Sequence, residues 1–372
     1  MSKRSAIWVL FIILVSLFGF SASAEELHPP LYEKATVMDV YTFDDRDITG
    51  GESQDVILKI TSGKYKDKIV EVQHITSSMM GGQMVIKLGD KVILYIDEHP
   101  SKAESEDGSP VISIADYARD FPIYLLALLY AILLVVIGGI RGLKSLLSLI
   151  ITICLIFLVL FPLTLWGFNP LLVSILLAGA VSVIVFLIIG GRSVKSFSAA
   201  IGTIIGVAIA GLLAYVVGNM VHLSGLSSEE ARILLYSMEL KINYQGLIFG
   251  SILIGALGAI MDVGMSIASV VEEVHKVHPK VNFRNLFDAG MNVGKDVMGT
   301  MSNTLILAYT GSALPLLLLL VANNMSFSKI LNMEMIAVEA VRALAGSIGL
   351  VLCIPVTAFV SALMNSKRAR LD

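Results

Sequence analysis

Runs of about 20 apolar residues recur along the chain from residue 121 onward, separated by short polar stretches. A helix that crosses a membrane needs about 20 such residues. The pattern therefore predicts an α-helical polytopic membrane domain at residues 121–363, followed by a tail at 364–372. About seven transmembrane helices are expected, at residues 121–140, 145–166, 170–189, 197–219, 244–267, 298–322 and 343–363.

The pattern before residue 120 is different, because apolar and polar residues alternate there over short runs. Four runs, at 56–60, 69–73, 84–87 and 92–96, predict strands separated by glycine-containing turns. Short strands at this spacing are typical of a small antiparallel barrel of the OB or SH3 type. We expect a β-domain at residues 25–100, which either binds a ligand or partner or caps the membrane domain, and a linker at 101–120.

The first 24 residues contain the three parts of a secretory signal peptide. Lys3 and Arg4 precede an apolar run, and Ala22 and Ala24 form an A-x-A cleavage site. We interpret residues 1–24 as a cleaved signal peptide. An uncleaved membrane anchor is the alternative interpretation.

Basic residues orient the predicted helices, because cytoplasmic loops of membrane proteins are enriched in lysine and arginine. The basic residues fall at alternate helix ends, which places those ends on one side of the membrane: Arg141, Lys144, Arg192, Lys195, Lys276, Lys280, Arg284, Lys367, Arg368 and Arg370. This distribution predicts a plasma-membrane protein with the β-domain outside and the C-terminus in the cytoplasm.

Three polar connections also have helical periodicity. Residues 227–238 begin with a predicted capping box of Ser227 and Glu230, and residues 330–344 form a second amphipathic segment. The third, residues 282–296, places Arg284 and Asp288 four positions apart. Within the predicted transmembrane helices, we expect Pro315 and Pro355 to introduce kinks.

Two of the predicted transmembrane helices carry a stripe of polar side chains. A carboxylate inside a span costs about 2.5–3.5 kcal/mol on insertion scales, so such residues are usually functional. An alternative is that the polar side chains only join helices by hydrogen bonds, with Lys295 neutralising one aspartate. The candidate intramembrane polar site consists of Asp262, Ser266 and Ser269 on one helix and Asp296, Thr300 and Asn303 on another, each set at positions i, i+4 and i+7.

Small residues in these two helices and in the helix predicted at 343–363 indicate close helix packing, because a glycine lets two backbones approach each other. The glycines that we predict to have this role are Gly255, Gly258, Gly299, Gly346 and Gly349.

Composition and motifs restrict the class of protein and the kinds of function that the chain can have. The chain is 56% apolar and 15% charged, against about 45–50% and about 25% in soluble domains. Cys154 and Cys353 both fall in predicted helices, which excludes a disulfide framework outside the cell. The sequence contains no nucleotide-binding loop, zinc-binding helix or nucleophile turn. We therefore predict no enzymatic activity, no cofactor and no nucleic-acid partner.

Two weaker signals in the sequence point to other functions. Glu272, Glu273, His275 and His278 are close in sequence, but their spacing matches no standard metal site, so no metal is predicted. Two aspartates on neighbouring helices are also typical of intramembrane aspartyl proteases, yet the G-x-G-D motif of those enzymes is missing here.

Three long blocks resemble the YibE/F family of bacterial multi-pass membrane proteins. They read GALGAIMDVGMSIAS at 255–269, DVMGTMSNTLILAY at 296–309 and EAVRALAGSIGLVLCIPVT at 339–357. The resemblance extends over the ectodomain and the membrane domain, and it implies a bacterial plasma-membrane location. It also implies a homologous membrane subunit as a partner, because members often occur as adjacent pairs, but it implies no particular catalytic or binding residue.

These observations lead to one main functional hypothesis. The chain is expected to be a transporter or permease of small solutes or ions, embedded in the lipid bilayer as a homo-oligomer or with a homologous subunit. The alternative is a non-transporting scaffold or assembly subunit, in which the polar stripes join helices. An intramembrane enzyme would need a nucleophile or metal that the sequence does not contain.

Overall fold

The computed structural model describes residues 31–45, 51–77, 84–98, 110–238 and 240–368 of the chain. These residues form two compact units, which divide between Ile132 and Leu133. The predicted signal peptide at 1–24 and the last four residues lie outside the described residues. Cleavage of the signal peptide therefore stays a prediction.

The first unit contains a five-stranded antiparallel sheet in the order β3-β2-β1-β4-β5. One face of the sheet buries the alternating apolar side chains of β2 and β4, such as Val56, Leu58, Val92 and Leu94. This sheet confirms the antiparallel β-domain, whereas the OB or SH3 type stays a prediction. The strands are β1 Leu31–Asp45, β2 Gly51–Ile60, β3 Ile69–Ser77, β4 Lys91–Asp97 and β5 Val111–Tyr117.

Two strands of this sheet were not predicted. The central strand β1 pairs with both β2 and β4. Strand β5 pairs with β4, with Ile114 opposite Leu94. It lies inside the stretch 101–120 that we predicted as a linker, and that prediction was wrong for residues 111–117. Pairing with β5 gives β4 a second neighbour, so β5 rather than β4 forms that edge of the sheet.

The predicted strand at 84–87 is absent from the sheet as described. A buried side chain, Gln54, takes the place of a strand partner there. The backbone nitrogen of Ile86 donates to Gln54 Oε1 at 2.8 Å, and Gln54 Nε2 donates to the carbonyl oxygen of Ile86 at 3.1 Å. The side-chain amide thereby satisfies both backbone groups of a buried residue.

We expect Gln54→Ala to lower the free energy of unfolding of the β-domain by about 2 kcal/mol, because Ile86 would keep two buried backbone groups without a partner. Hydrogen-exchange mass spectrometry should then show faster exchange at residues 84–87. The exposed Gln73 on β3 provides the control, and Gln73→Ala should leave that exchange unchanged. Equal exchange in the two variants would contradict this role of Gln54.

Helices make up the rest of the described chain. A π-helical turn at Ile156–Leu160 joins the first two of them. The helices are α1 Asp120–Leu155, α2 Phe161–Leu165, α3 Pro170–Gly190, α4 Val194–Met220, α5 Glu229–Tyr236, α6 Tyr244–Val277, α7 Phe283–Ser312, α8 Leu314–Ala322, α9 Phe327–Leu331 and α10 Glu334–Arg368.

Among the described residues, five helical stretches are long and apolar enough to cross a membrane, and the pair α7 and α8, bent by 60°, makes a sixth if it counts as one span. Seven separate spans are not confirmed, because the segments predicted at 121–140 and 145–166 belong to one helical stretch, Asp120–Leu165. That stretch is broken at Gly139, whose φ of 55° and ψ of −134° are not helical.

The backbone around Gly139 reverses direction. A Cβ atom on Gly142 would overlap the carbonyl oxygen of Leu134, although residues eight positions apart in a straight helix are separated by about 12 Å. Glycine tolerates the positive φ that this turn requires. The long stretch is therefore not one straight helix.

Most of each predicted amphipathic segment is helical, but the helices begin and end at other residues than predicted. Residues 282–296 and most of 330–344 are continuous with the apolar parts of α7 and α10, because no proline separates them. The Arg284–Asp288 ion pair is confirmed, with 4.0 Å between Nε and Oδ2. Helix α5 is capped by Ser228 rather than Ser227, since Ser228 Oγ accepts from the nitrogen of Ala231.

The two prolines predicted to introduce kinks occupy different positions in their helices. Pro315 lies in the first turn of α8, at the 60° bend from α7, which confirms the predicted kink. Helix α10 continues through Pro355 to Arg368, and a kink at Pro355 stays a prediction.

Helix α6 lies at the centre of the helical unit and packs against α3, α4, α7 and α10. Its core face buries Phe249, Leu253, Ile260 and Ile267. Cys353 of α10 is also buried and free, as expected for a small packing residue. One face of α6 is thus covered by other helices, and the opposite face is left open.

Candidate intramembrane polar site

The polar stripe of α6 lies on the open side of this helix. Asp262 and Ser266 are exposed, and Ser269 is half-buried. Val263 and Ile267, each one position further along, are buried in the core. Because adjacent helical positions point about 100° apart, the core face and the polar stripe belong to different sides of α6.

The stripe of α7 is arranged in the same way. Its core side contains Leu286, Gly290, Gly294 and Leu305, all of which are buried. The three predicted site residues on this helix, Asp296, Thr300 and Asn303, are exposed.

Helices α6 and α7 are antiparallel neighbours, in contact near both ends of the pair. A Cβ on Gly255 would lie 2.6 Å from Tyr309 Oη, and a Cβ on Gly290 would lie 2.9 Å from Val271 Cγ2. Interpolating between these contacts places Asp262 level with Thr300 and Asn303. The structure therefore brings the two stripes to the same level along α6 and α7, on the surface of one chain.

Hydrogen bonds within the described residues do not join the two stripes. Thr300 Oγ1 donates to the carbonyl oxygen of Val297 in its own helix at 2.9 Å. The described part of the chain also contains no ion pair between Lys295 and Asp262, so the alternative in which Lys295 neutralises this aspartate is not seen. Among the described residues of one chain, no hydrogen bond or ion pair between the two stripes supports the helix-joining interpretation.

Three of the five predicted packing glycines lie against another helix. A Cβ on Gly349 would be 2.6 Å from the carbonyl oxygen of Gly206, and a Cβ on Gly346 would be 3.1 Å from Ala256 Cβ. Gly255 faces Tyr309, as described above. Around Gly258 and Gly299, by contrast, no described atom lies within 4 Å of the Cβ position, so their predicted packing role is not seen within one chain.

The open face of α6 leads from the aspartate to a cavity. Gly258, Gly255 and Ser251 continue the stripe of Asp262 with the same helical spacing, and all three are exposed. Ser251 lines a cavity of about 420 Å³ between α5, α6, α10 and the junction of α7 with α8.

Sequence reasoning missed this cavity. Two of the charged residues that line it, Glu339 and Arg342, belong to the amphipathic segment at 330–344, for which no role in a site was predicted. In the structure, Arg342 Nη1 donates to Glu339 Oε1 at 2.8 Å, and the two side chains are only 23% and 26% exposed. The signal available in the sequence was an oppositely charged pair at i, i+3 next to an apolar run.

The acidic and histidine cluster at 272–278 does not form a metal site in the structure. Glu273 pairs with Lys276 at 2.7 Å. Across the described ranges, no group of three histidine, cysteine, aspartate or glutamate side chains is placed to hold a metal ion.

An antiparallel β-domain followed by several apolar helices of membrane-crossing length defines a polytopic helical membrane protein. The family model of the YibE/F-like protein matches residues 126–367, more than half of the chain, and the chain belongs to that family. The resemblance carried by the three sequence blocks is thereby confirmed, but the matched residues begin after the β-sheet. Comparisons with curated proteins and with solved structures gave no match.

Proposed function

We propose that this chain is a permease subunit of the bacterial plasma membrane, which passes a small solute or ion along the open faces of α6 and α7. The path would be lined by Asp262, Ser266, Ser269, Asp296, Thr300 and Asn303. The observation that carries the proposal is the exposed carboxylate of Asp262 within an apolar helix. No catalytic step is part of the proposed function.

The proposed topology has seven crossings, with the β-domain outside and the C-terminus in the cytoplasm. The reversal at Gly139 supports counting 120–138 and 140–165 as separate crossings. The bent pair of α7 and α8 then counts as one crossing, as in transporters that use broken helices. Seven crossings agree with the alternation of basic helix ends described above.

A second membrane chain is part of the proposal. An aspartate that faces lipid costs about 2.5–3.5 kcal/mol, and it needs water, a proton or a polar partner. Gly258 and Gly299 leave space beside the two stripes. A further copy of this chain, or a homologous subunit, would cover this surface and close the path.

We expect Asp262→Asn to lower proton or potassium flux into proteoliposomes by at least about tenfold, the effect of removing roughly 1.4 kcal/mol of interaction with the passing cation. Flux is followed with a pH-sensitive dye and a potassium-sensitive dye trapped in the vesicles. Asp288→Asn, a matched change on α7 outside the stripe, should leave flux unchanged. Equal flux in Asp262→Asn and the unmodified protein would contradict the site assignment.

The scaffold function has one specific observation in its favour, namely that both stripes lie on the surface of the chain rather than inside its helical unit. In that case Asp262→Asn should lower the yield of a multi-chain complex, measured by size-exclusion chromatography with light scattering, without altering any flux. Asp262→Asn should therefore lower flux if the chain is a permease, and it should lower the complex yield alone if the chain is a scaffold.

A further inference from the structure

The cavity beside Ser251 has a charge pattern of its own. Two carboxylates, Glu230 and Glu339, and one guanidinium, Arg342, line it. A simple anion would meet an excess of negative charge there. A ligand that carries both an ammonium and an anionic group would complement all three side chains.

The ion pair in the cavity is only partly satisfied. Arg342 Nε and Glu339 Oε2 are both buried, and neither has a hydrogen-bond partner among the described residues. A guanidinium has five N–H donors and a carboxylate accepts at two oxygens, so the single bond between these residues leaves capacity on each. Buried polar groups without partners are unfavourable, and a ligand would relieve this.

Neighbouring groups fix the position of the pair. The guanidinium of Arg342 lies over the ring of Tyr309, 5.8 Å from its centroid. At the start of α10, Glu334 Oε1 accepts from the nitrogen of Ser224 at 2.6 Å, which holds the loop that contributes Gly225 to the cavity. The pair therefore belongs to a supported site rather than to a freely moving surface.

The rest of the lining offers hydroxyl oxygens to a hydrogen-bond donor of the ligand and apolar side chains to its hydrocarbon part. Ser251 Oγ and Ser312 Oγ each donate to a carbonyl oxygen of their own helix, at 2.8 Å, which leaves both hydroxyl oxygens free to accept. The walls include Leu234, Leu247 and Val338. A volume of about 420 Å³ is within the range of small-molecule sites.

From this arrangement we infer that the cavity binds a small zwitterion with an apolar body, its anionic group on Arg342 and its ammonium on Glu339. The inference goes beyond the proposed permease function, because binding here requires no flux along α6 and α7. Two sources share this chemistry: a free aminocarboxylate, and the headgroup of an ethanolamine phospholipid. Under the proposed topology, the cavity opens on the outer side of the membrane.

The test compares three probes that share one apolar body with a fourth that represents a lipid headgroup, using the purified full chain in detergent and isothermal titration calorimetry. L-leucine is expected to bind. 4-Methylpentanoate lacks its ammonium and 3-methylbutylamine lacks its carboxylate, and each should bind at least about tenfold more weakly, because each loses a hydrogen bond to a charged group. Glycerophosphoethanolamine tests the lipid source, and binding of this probe alone would assign the site to a lipid headgroup.

Variants locate the binding in the cavity. Arg342→Gln and Glu339→Gln should each weaken zwitterion binding at least about tenfold. Arg232→Gln, on an exposed position of α5 outside the cavity, should leave it unchanged. The inference is overturned if neither zwitterion binds, if leucine and 4-methylpentanoate bind equally, or if both cavity variants bind like the unmodified chain. The probe series uses the unmodified chain, so misfolding of a variant does not decide the result. Failure of the flux experiments on α6 and α7 would leave this binding result unaffected.

Discussion

Gly349→Val is expected to lower the free energy of unfolding of the helical unit by about 3 kcal/mol or more, at the upper end of the range for overpacking. A Cβ at this position would lie 2.6 Å from the carbonyl oxygen of Gly206 and 2.7 Å from Ala210 Cβ. Both atoms belong to the backbone or the first side-chain carbon of α4, which cannot rotate away. Helix α10 would have to separate from α4, with loss of the buried contacts between them.

The effect of Gly349→Val is measured as the midpoint of thermal unfolding in detergent and as the yield of monodisperse protein. Gly311→Val provides a matched control, since no described atom lies within 4 Å of the Cβ position there. That variant should unfold near the temperature of the unmodified chain. A comparable loss of stability in both variants would show that space at Gly349 is not the cause.

Gly258→Leu is expected to have the opposite profile, with normal stability and lost assembly. The Cβ position of Gly258 is open within one chain, and leucine favours a helix over glycine by about 0.8 kcal/mol. If a second membrane chain covers the polar face of α6, the leucine would occupy the surface where that chain packs. We expect at least about tenfold weaker association, equivalent to about 1.4 kcal/mol, together with reduced flux.

Association is measured by the exchange of fluorescently labelled chains between nanodiscs, and flux by the proteoliposome assay. Ala180→Leu on α3 is the matched control, because it enlarges a small exposed residue on another part of the surface. Unchanged association and flux in Gly258→Leu would mean that the open face of α6 is not a contact surface. That result would leave the fold and the zwitterion site unaffected.

Much of the helical unit was predictable because its constraints are local. A chain in a bilayer must satisfy its backbone groups within each segment, so an apolar run of sufficient length is a helix wherever it lies. Helices α3, α4 and α6 contain the segments predicted from such runs. The bend at Pro315 and the pairing of Arg284 with Asp288 also depend on residues within four positions.

The β-domain shows where local patterns stop being sufficient. Strand β5 is a short strand whose formation depends on pairing with β4, and the segment around Ile86 depends on Gln54, 32 positions earlier. Such partners are distant in sequence, so no local pattern identifies them. The antiparallel class was predictable, but two of the five strands and the role of Gln54 were not.

The candidate sites also have one part that depends on local sequence and another that depends on packing between distant helices. By itself, the sequence determined that α6 and α7 carry polar stripes with helical spacing, because that depends only on the periodicity of one helix. Only the tertiary structure decided which side of each helix the neighbouring helices cover, and it left Asp262 and Asn303 on the open side. It also brought Glu339 and Arg342 of α10 together with Ser251 of α6 around one cavity, since packing between distant helices determines which polar side chains are enclosed.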